Sequence, residues 1–160
     1  MNKELTYENE KILRNELIDR ISYNTWVEYK GESFLLFGYG CGRFSLIKSP
    51  VLSYTFGESP LAKELKPYLY PMSRITKEEL DELSRLTGNR AYFIVDEFAN
   101  GLQIRTFDGV SMLVDEMYKV FEYLKMKHYD YNGLIGMDLA IDATGKDVEK
   151  EPFWKSNTSF

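Results

Sequence analysis

The sequence is poor in reactive side chains. One cysteine, Cys41, and one histidine, His128, stand among 160 residues. A lone cysteine forms no internal disulfide, and a secreted domain of this size often carries several, so the chain is expected in the cytoplasm. One imidazole cannot supply the two or three that histidine metal sites commonly use. Any Ser-His-Asp or Cys-His system would have to be built on His128. Basic charge is scarce as well. Lys+Arg total 20 against 25 Asp+Glu, a formal net charge of -5. Duplex-binding proteins carry a basic footprint, so nucleic acid is a disfavoured partner. No apolar run approaches the ~20 residues of a membrane span. Residues 1–10 lack the apolar core of a signal peptide. Neither a membrane partner nor export is expected.

What is present is ordinary globular material, 44% hydrophobic and 28% charged, with an aromatic content of 15%. A chain of this length buries about two-thirds of its unfolded surface on folding, enough for a core without staples. The reading is a single domain over residues 1–144, followed by a mobile polar tail over 145–160. Leu5 to Arg20 reads as a helix with Thr6 as N-cap and an apolar stripe of Leu13, Leu17 and Ile21, widened by Ile18. Thr76-Lys77-Glu78-Glu79 is a capping box, flanked by a staple of Ile75 and Leu80 and stopped by Gly88. A third helix over Ser111 to Lys127 is expected to bury Leu113, Met117, Phe121 and Leu124.

Between the first two helices the period changes to that of strands. Thr25 to Tyr29, Ser33 to Phe37, Arg43 to Lys48 and Val51 to Phe56 read as short strands, with a turn at Lys30-Gly31. Gly38, Gly40 and Gly42 are expected to break the ladder. Pro60 to Pro71 reads as a linker with one helical turn, extended over Lys66 to Pro71. Ala91 to Phe98 and Leu102 to Phe107 flank Asn100-Gly101, a type I′ hairpin signal. The resulting class is α+β: a small curved antiparallel sheet or partly open barrel, SH3-like in one version, with three flanking helices.

Three groups could carry chemistry or binding. Gly38-Tyr39-Gly40-Cys41-Gly42 has the spacing G-x-G-x-G rather than the dinucleotide G-x-G-x-x-G, and a glycine-rich turn or bulge is the plainer reading. No cofactor is therefore expected. His128 lies near Asp130, Asp138 and Asp142, which could hold a hard cation through oxygen ligands in a metal-assisted hydrolase. Their spacing is not that of an EF-hand, a structural role is the simpler one, and no metal is assigned. The aromatic-rich stretch from Tyr23 to Tyr70 includes Trp26, Tyr39 and Tyr70. Exposed there, such rings could dock a protein or stack single-stranded bases; buried, they are core.

Lys66-Pro67-Tyr68-Leu69-Tyr70-Pro71-Met72-Ser73, continuing to Thr76, Glu78 and Glu79, resembles the KPYL-x-PMS segment of a family of small proteins from gut Bacteroidales and their phages and prophages. His128-Tyr129-Asp130-Tyr131-Asn132-Gly133-Leu134-Ile135, followed by Leu139-Ala140-Ile141-Asp142, resembles that family's H-F-D-Y-R-G-L-I ending. This chain has Asn132 where the family has arginine, and Asp138 where glycine is common. The resemblance carries no activity. It implies an accessory protein inside a bacterial cell, and it marks His128, Tyr129, Asp130, Tyr131 and Asn132 as the segment to inspect.

Together these readings point to a non-catalytic binding module with a protein partner and an open oligomeric state. Its candidate residues are His128, Tyr129, Asp130, Tyr131, Asn132, Trp26, Tyr39 and Tyr70. A hydrolase built on His128, and single-stranded nucleic-acid binding, are the alternatives.

Overall fold

The structure is a computed structural model and describes residues 5–48, 58–96, 101–107, 109, 111–146 and 148. In chain order the elements are α1 (Tyr7–Asp19), β1 (Trp26–Tyr29), β2 (Glu32–Gly40), β3 (Arg43–Ile47), β4 (Lys66–Pro71), α2 (Lys77–Leu86), β5 (Ala91–Asp96), β6 (Gly101–Thr106), α3 (Val114–Met126), β7 (Tyr129–Asp130) and β8 (Ile141–Asp142). Three α-helices, a larger sheet and a separate two-stranded ribbon make an α+β fold, as the sequence pattern implies. The larger sheet is mixed rather than purely antiparallel, and no closed barrel forms among the described residues. The expected strand at Val51 to Phe56 lies outside the described residues.

The chain gathers into two compact units: Met1–Leu69 with Leu134–Phe160, and Tyr70–Gly133. In the first, Thr6 caps α1 by accepting from the Asn9 N–H at 3.2 Å. Leu13 and Leu17 then enter a core with Val27, Phe34, Leu36, Phe44, Leu46 and Leu69, and Ile18 and Ile21 pack at its margin. The same helix buries a charged pair: Arg20 Nε donates to Glu16 Oε1 at 2.7 Å, and both side chains are shielded from solvent. β1, β2 and β3 form an antiparallel meander. Its turns are two-residue and left-handed at both positions: Lys30-Gly31 (φ 49° and 78°) and Cys41-Gly42 (φ 53° and 76°). Such turns match the twist of the flanking strands. The glycine cluster is thus a hairpin. β2 runs on through Gly38 and Gly40 instead of breaking, with only a register irregularity between Leu36 and Gly38.

Lys66 to Pro71, expected as extended linker, is a paired strand. In the first unit β4 is antiparallel to β1 through Val27 and Pro67, and parallel to β8 through Tyr68–Ile141 and Leu69–Asp142. Lys66 Nζ donates to Asp138 at 3.0 Å. Of the expected tail, Lys146 sits 4.7 Å over the Tyr68 ring and Val148 is buried; residues 147 and 149–160 lie outside the described residues.

In the second unit, Thr76 and Glu79 form the expected capping box, and α2 buries Leu83 while Leu80 and Leu86 are half-buried. Gly88 and Asn89 are both left-handed where that helix stops. The β5–β6 ribbon pairs Asp96 with Gly101; the Asn100 of the expected Asn-Gly turn lies outside the described residues. α3 buries Glu116, Val120 and Leu124, a strict i, i+4 stripe. Of the expected face, Leu124 is buried and Phe121 half-buried, but Leu113 is the N-cap and is exposed, as is Met117. Glu116 turns inward with a partner, accepting from Arg90 Nη1 at 3.0 Å.

Candidate binding surface

The segment marked by the family resemblance is a folding device in the second unit. His128 follows α3 in the left-handed conformation (φ 62°), the place glycine usually takes when a helix stops. Its N–H donates to the Lys125 carbonyl, and its own carbonyl accepts from the Tyr70 N–H at 2.8 Å. That bond starts a short parallel ladder in which Tyr70 faces Tyr129 and Pro71 faces Asp130. The two resemblance motifs therefore meet as strand partners.

Side chains lock the same junction. Glu79 Oε1 accepts from Tyr129 Oη at 2.8 Å, Thr76 Oγ1 at 3.1 Å and the Thr76 N–H at 3.2 Å. The Arg74 guanidinium lies 4.0 Å over the Tyr70 ring, whose centroid is 6.3 Å from that of Tyr129. Burial, and next the Glu79 carboxylate, push the Tyr129 phenol well above the ordinary tyrosine range. A neutral hydroxyl is what this geometry requires, because the Tyr129 proton fills the Glu79 bond. The arrangement joins a helix start to a strand and offers no activated nucleophile.

The predicted site residues accordingly divide by exposure. His128, Tyr129 and Asp130 are buried. Tyr131 is half-buried, its ring 5.4 Å from that of Phe121, and Asn132 is exposed. Trp26 and Tyr70 are buried and so cannot be docking rings as they stand; Tyr39 is exposed, its ring 4.7 Å from that of buried Phe44. Asp142 is exposed in the first unit, where it accepts from the Thr144 N–H. Among the described residues no group of three or more His, Cys, Asp and Glu side chains is placed to hold a metal ion. No helix among them is long and apolar enough to cross a membrane.

The apolar surface that is exposed lies elsewhere. On one face of the ribbon, Tyr92 and Ile94 from β5 stand opposite Arg105 and Gln103 from β6. Phe107 continues that face, its ring 5.4 Å from that of Tyr92. Tyr92, Ile94 and Phe107 are all exposed, while Ala91 and Phe93 on the reverse face are buried. α3 adds exposed Val114, Met117 and Tyr118. The Tyr118 hydroxyl bonds Glu122, which holds its pKa above the ordinary value. Sequence reasoning missed these residues, although a signal was available. Ala91 to Val95 is apolar at every position, and a two-stranded ribbon with one covered face must present half of such a strand outward.

Against known proteins, the chain matches no family model, no curated protein and no solved structure.

Proposed function

We propose that this chain is a non-catalytic protein-binding module whose binding part is the outward face of the β5–β6 ribbon. The observation that carries this reading is the exposed Tyr92–Phe107 ring pair beside Ile94 and Arg105. Aromatic residues and arginine are the types that dominate interface energetics, and a ribbon holds them at low entropic cost. The proposal moves the contact surface away from Trp26 and Tyr70, which belong to the core, and away from His128 to Asp130, which fasten α3 to β4. Work inside a bacterial cell as an accessory protein, as the Bacteroidales resemblance implies, fits this reading, as does an unbridged Cys41.

The test compares Tyr92→Ser/Phe107→Ser with Phe37→Ser, which removes an exposed ring from the first unit. With immobilised chain and bacterial lysate, whatever the wild type captures should be lost by the double variant and kept by Phe37→Ser. A titration of the captured species should weaken by roughly 30-fold or more, the size of a lost aromatic hot spot. Equal capture by a folded double variant would remove the ribbon face from consideration.

A further inference from the structure

The ribbon has two edges, and they are treated differently. In an antiparallel pair, hydrogen-bonded and non-hydrogen-bonded positions alternate. Phe107 N–H donates to the Arg90 carbonyl, so that pair is of the hydrogen-bonded kind. Counting by twos, Arg105–Tyr92 and Gln103–Ile94 are of the same kind. Leu102, Ile104 and Thr106 therefore aim their N–H and C=O groups away from β5. The corresponding outer edge of β5 begins at Ala91, whose N–H is already taken by Thr87 Oγ1 at 3.2 Å. Among the described residues no third strand joins β6.

An open edge is usually guarded by lysine, proline, a bulge or an inward charge. β6, Gly101–Thr106, has no lysine, no proline and no acidic residue, and its register against β5 is unbroken. Its one charge is Arg105. Ile104 is exposed even though it shares the face of buried Phe93.

We infer that the partner of this edge is a second copy of the chain, joined by antiparallel β6–β6 pairing about a two-fold axis at Ile104. This rests on the reading of the ribbon as the binding part and concerns its open β6 edge, leaving the outward face of Tyr92 and Phe107 uncovered. The register is set by which backbone groups point outward. Ile104 faces Ile104 of the second copy, and Leu102 faces Thr106 in both directions, so each of the three outward residues meets another outward residue. Six hydrogen bonds close, and a two-stranded ribbon becomes a four-stranded sheet, beyond the three strands that independent stability requires. The charges agree with this register. Arg105 falls opposite Gln103 of the second copy, an acceptor it already uses within its own strand at 3.2 Å, so the two arginines never oppose each other. On one face the new sheet joins Ile104 to Ile104, and on the other it continues the row of Tyr92, Arg105, Gln103 and Ile94. An isologous contact of this kind closes on itself and stops at two copies.

The experiment is sedimentation velocity of the full chain across a concentration series. The wild type should form a dimer. Ile104→Lys and Ile104→Glu should each be monomeric, since each places two like charges opposite one another, and an equimolar mixture should regain the dimer as a heterodimer. Only pairing that sets residue 104 against itself predicts that rescue. Thr106→Pro is the second variant: it deletes an outward N–H that β5 does not use, so the ribbon keeps its ladder while the dimer is lost. Far-ultraviolet circular dichroism confirms that each variant is folded. A wild type that stays monomeric at all concentrations overturns the inference, as does a dimer undisturbed by Ile104→Lys and Thr106→Pro. A monomeric wild type whose captured partner is still lost in Tyr92→Ser/Phe107→Ser would overturn the self-pairing alone and leave the binding reading standing.

Discussion

The two units solve the problem of apolar surface in opposite ways. The larger one, Met1–Leu69 with Leu134–Phe160, closes a leucine- and phenylalanine-rich cluster between α1 and a meander. Among the described residues it leaves five large apolar side chains exposed. The smaller one, Tyr70–Gly133, leaves nine. The difference follows from architecture. A two-stranded ribbon has one covered face and must show the other, which accounts for Tyr92, Ile94 and Phe107, while α3 and its cap leave Leu113, Val114, Met117, Tyr118 and Met126 on the side away from its buried stripe. What holds each unit also differs. The first buries an ion pair inside its helix. The second ties a capping box, a tyrosine and a glutamate into one polar junction.

The sharpest way to break this contrast is through the buried pair. Glu16→Ala leaves the Arg20 guanidinium without its 2.7 Å partner in a site closed to water. It should cost the first unit about 3–5 kcal/mol, while Glu16→Met/Arg20→Met recovers most of the loss. Urea unfolding followed by hydrogen exchange assigns the change to α1 and the meander; an equal loss of protection in the Tyr70–Gly133 amides would show that the units do not melt separately.

Tyr129→Phe is the matching cut in the second unit. It removes one hydrogen bond to a carboxylate, and about 1–2 kcal/mol is expected. The Tyr129 pKa is raised on folding, chiefly by burial and then by Glu79. Its contribution is therefore complete below the free-tyrosine value near pH ~10 and is lost as pH rises through the folded value. Stability of the second unit should fall in alkali, and less steeply in Tyr129→Phe. Tyr68, raised mainly by burial, gives the first unit an alkaline loss of its own, which Tyr129→Phe should leave unchanged. The smallest effect belongs to Lys66→Met. Its bond to Asp138 lies in solvent, with side chains 41% and 93% exposed, and the change should stay within about 0.5 kcal/mol by thermal melting.

Much of the local structure was legible in residue order. Thr6, Thr76 with Glu79, Gly88 and Lys30-Gly31 act where their chemistry places them, because caps and turns are decided within three or four residues. The site was less legible. Aromatic density drew attention to Trp26 and Tyr70, and density along the chain says nothing about which face a strand turns to solvent. The motif at His128 to Asn132 was visible as a unit, but its meaning as a helix stop and strand partner depends on Tyr70 and Glu79, far away in sequence.

Composition and punctuation by themselves determined an α+β chain with three helices, a meander and a hairpin, since propensity, capping and period are local properties. Only the tertiary structure decided that Lys66–Pro71 is a strand, that Glu16 and Arg20 are buried together, and that Tyr92 and Phe107 face outward. Those outcomes depend on which elements cover one another, and coverage is a property of contacts between distant residues.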